Sequence, residues 1–171
     1  LTCAALGHFQ TPTPPSPVKG KWKWSFGQRE TMIGAVIITH DGLAECLIKA
    51  VEGISGRHEH VKSIAVKYTD TTDSVRDVLK GAITEVDAGK GVIVFTDMFG
   101  GTPTNIALSF FSAGKVEIIT GVNLPLLLKF VSHRPARPLS ELAVFLRDYG
   151  RSTIILAGDM LHEKGLSPFK G

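Results

Sequence analysis

Two apolar runs of strand length dominate the pattern of this chain, and each stops at a titratable side chain. Residues 32–39 read Met-Ile-Gly-Ala-Val-Ile-Ile-Thr and stop at His40, with Asp41-Gly42 turning directly after. Residues 91–96 read Gly-Val-Ile-Val-Phe-Thr and stop at Asp97, which opens into Met98-Phe99-Gly100-Gly101-Thr102-Pro103. Apolar side chains at successive positions, rather than alternate ones, mark strands covered on both faces, as in a parallel sheet. Further strands are predicted over about 61–67 and 115–120, and a fifth over Thr153 to Ala157.

Helical spacing fills the gaps. Leu43, Leu47, Ile48 and Val51 repeat through about 42–54, and Gly53 and Gly56 end that helix. Val75, Val78, Leu79, Ile83 and Val86 place a second helix over about 72–88, with Thr72 or Asp73 able to cap it. A third runs over about 103–113, with Pro103 in the first turn, where its missing N–H costs nothing. Two more follow, from Leu124 to about Ser132 and from about 138 to 149. Alternating strands and helices predict an α/β fold, a flavodoxin-like and mainly parallel sheet with helices on both faces. Right-handed crossovers favour the strand order 2-1-3-4. In that order the first and third strands are neighbours, so His40 and Asp97 meet at the carboxyl edge although 57 positions separate them.

Composition changes this picture in one place. The net charge of +3 belongs to residues 1–31, where Lys19, Lys21, Lys23 and Arg29 face only Glu30; the rest holds fifteen groups of each sign. The domain is therefore neutral and offers no nucleic-acid footprint. The leader is Pro-rich through Thr11 to Pro17, and Met32 starts the first strand. The expected organisation is a disordered leader over 1–31, either extra to the natural protein or a linker, then a domain over 32–163 and a frayed end over 164–171. No run reaches the roughly 18 apolar residues that span a bilayer. Cys3 and Cys46 form no metal spacing or disulfide framework; Cys46 reads as a small core residue, and a reducing cytoplasm suits both.

The candidate chemistry sits at the two strand ends. His40 reads equally as a capping or core histidine and as a functional one from its position alone. A carboxylate at Asp97 accepting from one ring nitrogen would fix the tautomer and leave the other as a nucleophile; the plainer alternative is an acid that caps its turn. Gly100 and Gly101 let backbone N–H groups approach an anion, with Thr39 beside them, and Thr102 offers a hydroxyl at an electropositive helix start. Neither a Walker pattern nor a dinucleotide fingerprint is present, so no nucleotide cofactor is expected, nor any metal.

The segments Val36-Ile-Ile-Thr-His40-Asp-Gly-Leu-Ala44, Val94-Phe-Thr-Asp97-Met-Phe-Gly-Gly-Thr102-Pro-Thr-Asn105 and Thr120-Gly-Val-Asn123-Leu124-Pro125 resemble the mannose-family enzyme IIA domain of the bacterial sugar phosphotransferase system. The resemblance covers about 32–160. It implies a cytoplasmic phosphohistidine carrier that takes a phosphoryl group from phospho-HPr and passes it to a IIB domain. His40 would be the acceptor, Asp97 its orienting carboxylate and Thr102 the hydroxyl near the phosphoryl group. Asn123 and Leu124 would line the site. It also implies a homodimer in which a last, antiparallel strand, here Thr153 to Ala157, contributes to the interface. A related carrier that feeds dihydroxyacetone kinase shares the fold and histidine. Two other classes compete. A receiver domain phosphorylated on Asp97 would need an acidic pair after the first strand and a late Lys, and finds neither. A non-catalytic interaction domain has no need of His40, Asp97 and the Gly-Gly-Thr-Pro loop together.

Overall fold

The computed structural model describes residues 31–159. The expectations for residues 1–30 and 164–171 lie outside the described residues. Four strands, β1 (Gly34–His40), β2 (Val61–Val66), β3 (Val92–Thr96) and β4 (Val116–Thr120), form one parallel sheet in the order β2-β1-β3-β4. Five helices connect and cover them: α1 (Leu43–Ser55), α2 (Thr72–Val86), α3 (Thr102–Leu108), α4 (Leu124–His133) and α5 (Leu139–Ser152).

The two central strands are those with continuous apolar sequence. Six of the seven β1 residues and all of β3 are buried. Successive β1 side chains enter opposite cores, as the strand's two-residue period requires. Ala35 and Ile37 join Phe95, Phe130, Leu142 and Leu146 beneath α1, α4 and α5. Val36 and Ile38 join Leu79, Val86 and Ile106 beneath α2 and α3. Gly34 serves the second layer: a Cβ there would stand 2.3 Å from the Val86 carbonyl oxygen, so only glycine lets α2 end this close to the sheet.

The structure departs from the sequence expectation in several places, each for a local reason. Thr71, one residue earlier than expected, caps α2 by accepting from the Ser74 N–H. Helix α3 stops at Leu108 rather than near 113, because Ser109, Phe110 and Phe111 close three-residue turns onto Ile106, Ala107 and Leu108. Cys46 is exposed, not core; Ala44 and Val51 define the buried side of α1, and Cys46 lies on the far side. Val78 is exposed because Val75, Leu79, Ala82 and Val86 form the buried stripe, one position away.

The fifth strand is the largest correction. Helix α5 runs to Ser152 with Thr153 as its αR C-cap; Ile154 to Leu156 follow with no ladder partner among the described residues, and Ala157 to Asp159 make a helical turn. Ile154, Ile155 and Leu156 are 86%, 60% and 71% exposed. Their apolar, β-branched composition does favour a strand. Propensity does not supply an edge to pair with, and among the described residues the sheet ends at β4.

Candidate active site

The site is assembled at the carboxyl edge by the alternation of β1. Thr39 points toward α1, where its buried hydroxyl accepts from the Ala44 N–H (2.9 Å) and donates to the His40 carbonyl (3.3 Å). His40 therefore points to the opposite face, toward the start of α3. The next residue, Asp41, takes a left-handed φ of 48° and donates its N–H to the Val66 carbonyl, which turns the chain off the sheet.

Asp97 follows β3 immediately and reaches His40 twice. Its Oδ2 accepts from the His40 backbone N–H at 2.9 Å and stands 2.7 Å from His40 Nδ1. Its Oδ1 accepts from the Met98 N–H at 2.9 Å. Burial pushes this carboxyl up, but the His40 backbone N–H, the imidazole and the Met98 N–H together outweigh burial and hold it below its ordinary value. It is thus an acceptor only, and the hydrogen between Oδ2 and Nδ1 belongs to the imidazole. Nδ1 carries the proton, so in the neutral ring Nε2 is the nitrogen with the lone pair.

Gly101 defines the other side of the ring. A Cβ at that position would stand 2.8 Å from His40 Cε1 and 3.3 Å from Nε2, so the backbone lies directly against the edge that bears the free nitrogen. Gly100, at φ 84°, makes the turn into α3. No side chain caps α3, so the backbone N–H groups at its start, Pro103 having none, are offered to an anion. His40 opens into a cavity of about 440 Å³ that Thr102 also lines, facing Asp41, Lys67, Tyr68 and Asp70. The His40 side chain is 39% exposed and Asp97 only 13%, an arrangement with an accessible ring on a sheltered carboxylate. A nitrogen so held can attack phosphorus, while the carboxylate stabilises the positive charge that grows on the ring.

The structure thus brings His40, Asp97, Gly101 and Thr102 to one place, with Gly100 in the turn beside them. Thr39 lies beneath, as a buried brace of the loop. Asn123 and Leu124 have other contacts in the structure. Asn123 caps α4 by accepting from the Leu126 N–H, and its amide donates to Thr153 Oγ1. It lines a separate groove of about 500 Å³ with Thr120, Arg147 and Ile154. Leu124 packs against the core. Sequence reasoning missed the Lys67–Asp70 loop. The strand order would have placed it, because His40 pairs in register with Val66.

Comparison with known proteins identifies the family and the fold. The model of the EIIA-man family, described as PTS system fructose IIA component, matches residues 34–145. The mannose-specific EIIAB component of the phosphotransferase system of Escherichia coli K12 is 30% identical over 124 residues, 71% of this chain and 38% of that protein. The chain thus spans under two fifths of the length of that relative. The fructose-specific EIIA component of Bacillus subtilis is 24% identical over 133 residues, covering 77% of this chain and 91% of that one. The crystal structure of the phosphotransferase component EIIA from Streptococcus agalactiae superposes with a TM-score of 0.69. It is 23% identical and covers 75% of this chain and 99% of that one, a likeness of fold. Among the described residues no helix is long and apolar enough to cross a membrane. A matching family model over most of the domain, on a fold its members share, makes this chain a member of the EIIA-man family, the fructose and mannose IIA components of the phosphotransferase system.

Proposed function

We propose that this protein is a cytoplasmic phosphocarrier that accepts a phosphoryl group from phospho-HPr on His40 and passes it to a IIB domain. The observation that carries this reading is the single ring nitrogen left free: Nδ1 is bound to Asp97 at 2.7 Å, and Nε2 faces Gly101 at the cavity's edge. In the forward step the Nε2 lone pair forms a bond to phosphorus as the donor's N–P bond breaks. The released electron pair returns to the donor's imidazole. Nδ1 keeps its proton throughout, and Asp97 balances the charge on the phosphorylated ring. Transfer to the acceptor repeats the step in reverse. Met98 and Phe99, both exposed beside the site, give a protein partner apolar surface to settle on. The test is incubation with phospho-HPr labelled with ³²P. One label per chain, discharged by adding a IIB domain, supports the reading; an unlabelled protein refutes it.

The same reading includes a homodimer. The exposed Ile154-Ile155-Leu156 exit and the open edge of β4 lie on one side of the molecule, beside the groove between β4 and α5. An unpaired edge and an uncovered apolar segment each need a partner. A second copy supplies both, its apolar segment covering the open side of β4. Sedimentation at micromolar concentration is expected to give a dimer, and Ile155→Asp a monomer. A wild-type monomer at that concentration would refute this arrangement.

A further inference from the structure

The Asp97 turn is held by a residue that neither strand contributes. Thr104, the third residue of α3, is 1% exposed, and its Oγ1 has two partners. It donates to the Met98 carbonyl at 2.5 Å and stands 2.7 Å from Thr96 Oγ1, itself fully buried. A hydroxyl has one hydrogen. Since Thr104 gives its hydrogen to Met98, the second bond must run from the Thr96 hydroxyl to Thr104. The chain of donors is therefore directional, Thr96 to Thr104 to Met98. The Met98 residue is then fixed at both ends, its N–H by Asp97 Oδ1 and its carbonyl by Thr104.

We infer that Thr104 is a positioning residue for phosphoryl transfer, its hydroxyl fixing the Met98 backbone and through it the Asp97 carboxylate that sets the His40 tautomer. The inference rests on the phosphocarrier reading for its kinetic consequence, but not for its structural one. Without the hydroxyl, the Met98 carbonyl loses its only side-chain donor among the described residues. The turn is then free to rotate, and Oδ1 and Oδ2 lose their fixed aim. Small displacements of a group that orients a nucleophile cost rate steeply. Thr96 plays no such part, because its hydroxyl only donates to Thr104 and touches neither Asp97 nor Met98 in the hydrogen bonds present.

Three variants separate positioning from packing. Thr104→Val and Thr96→Val each replace a buried hydroxyl by a methyl of nearly the same size, so a packing role leaves the His40 tautomer unchanged in both. The positioning role makes them unequal. Thr104→Val is expected to slow phosphoryl acceptance from phospho-HPr about tenfold, at unchanged KM. It is also expected to mix the two neutral tautomers in the His40 ¹⁵N spectrum, and to shift the Met98 carbonyl ¹³C resonance. Thr96→Val and Thr104→Ser are expected to keep the wild-type tautomer and rate. Should Thr104→Val fail to fold, Thr104→Ala makes the same comparison without a bulk demand. Equal effects of the two valine variants, or a wild-type tautomer and rate in Thr104→Val, would overturn the inference. Failure of the carrier reading shows separately, as an unlabelled wild-type protein whose tautomer comparison still stands.

Discussion

His40→Ala is expected to reduce phosphoryl acceptance from phospho-HPr to background while leaving the fold intact. The two halves of that expectation come from different parts of the structure. Chemically, the nucleophile we propose is Nε2 of His40, and alanine has none. Structurally, the ring is 39% exposed and contributes little to either core. The contact that joins β1 to the Asp97 turn also survives, because the His40 backbone N–H still donates to Oδ2. Phosphate transfer measured with ³²P and the thermal midpoint measured on the same sample check both halves. Full labelling of the variant would move the acceptor elsewhere.

Asp97→Asn is expected to slow acceptance by at least about a hundredfold, because it inverts the tautomer rather than removing a contact. The carboxylate can only accept, so it holds the proton on Nδ1 and leaves Nε2 free. An amide NH₂ turned toward the ring donates to Nδ1 and drives the proton to Nε2, where it blocks attack on phosphorus. The amide also cannot accept from all three N–H groups that the carboxylate satisfies, so the thermal midpoint is expected to fall by a few degrees. The sign of the pH dependence follows from the depressed carboxyl. Its stabilisation is present in full above the ordinary carboxylate range near ~4 and is lost as pH falls through the lower folded value. The gap in stability between wild type and Asp97→Asn should therefore be constant near neutrality and close only in strong acid. A gap that closes near pH 6 instead would assign the stabilisation to the imidazole.

What the sequence made legible, and what it withheld, divides along a physical line. The central strands were visible because burial on both faces leaves no room for polar positions, and Gly34 to Thr39 and Val92 to Thr96 contain almost none. Once chirality restricts the crossovers, the neighbourhood of His40 and Asp97 follows from order alone. Elements whose fate depends on a partner were not legible. Thr153 to Ala157 has strand composition, yet pairing needs an edge that local sequence does not specify. Asn123 lies three residues after β4, and its side chain caps α4 and bonds Thr153. Thr39 was expected beside the anion-binding glycines and not as a brace beneath them, and nothing in the sequence set Thr104 apart from other hydroxyls. The roles they take depend on which backbone groups the tertiary fold leaves beside them.

The central claim is that phosphorus is carried on Nε2 of His40, and ³¹P NMR of the phosphorylated wild-type protein tests it most directly. The expected result is one resonance in the phosphoramidate range assigned to the Nε2 isomer. It should be stable in alkali, lost in acid, and absent from His40→Ala. A resonance that survives in His40→Ala and disappears on hydroxylamine treatment would be an acyl phosphate on Asp97, and would contradict the account.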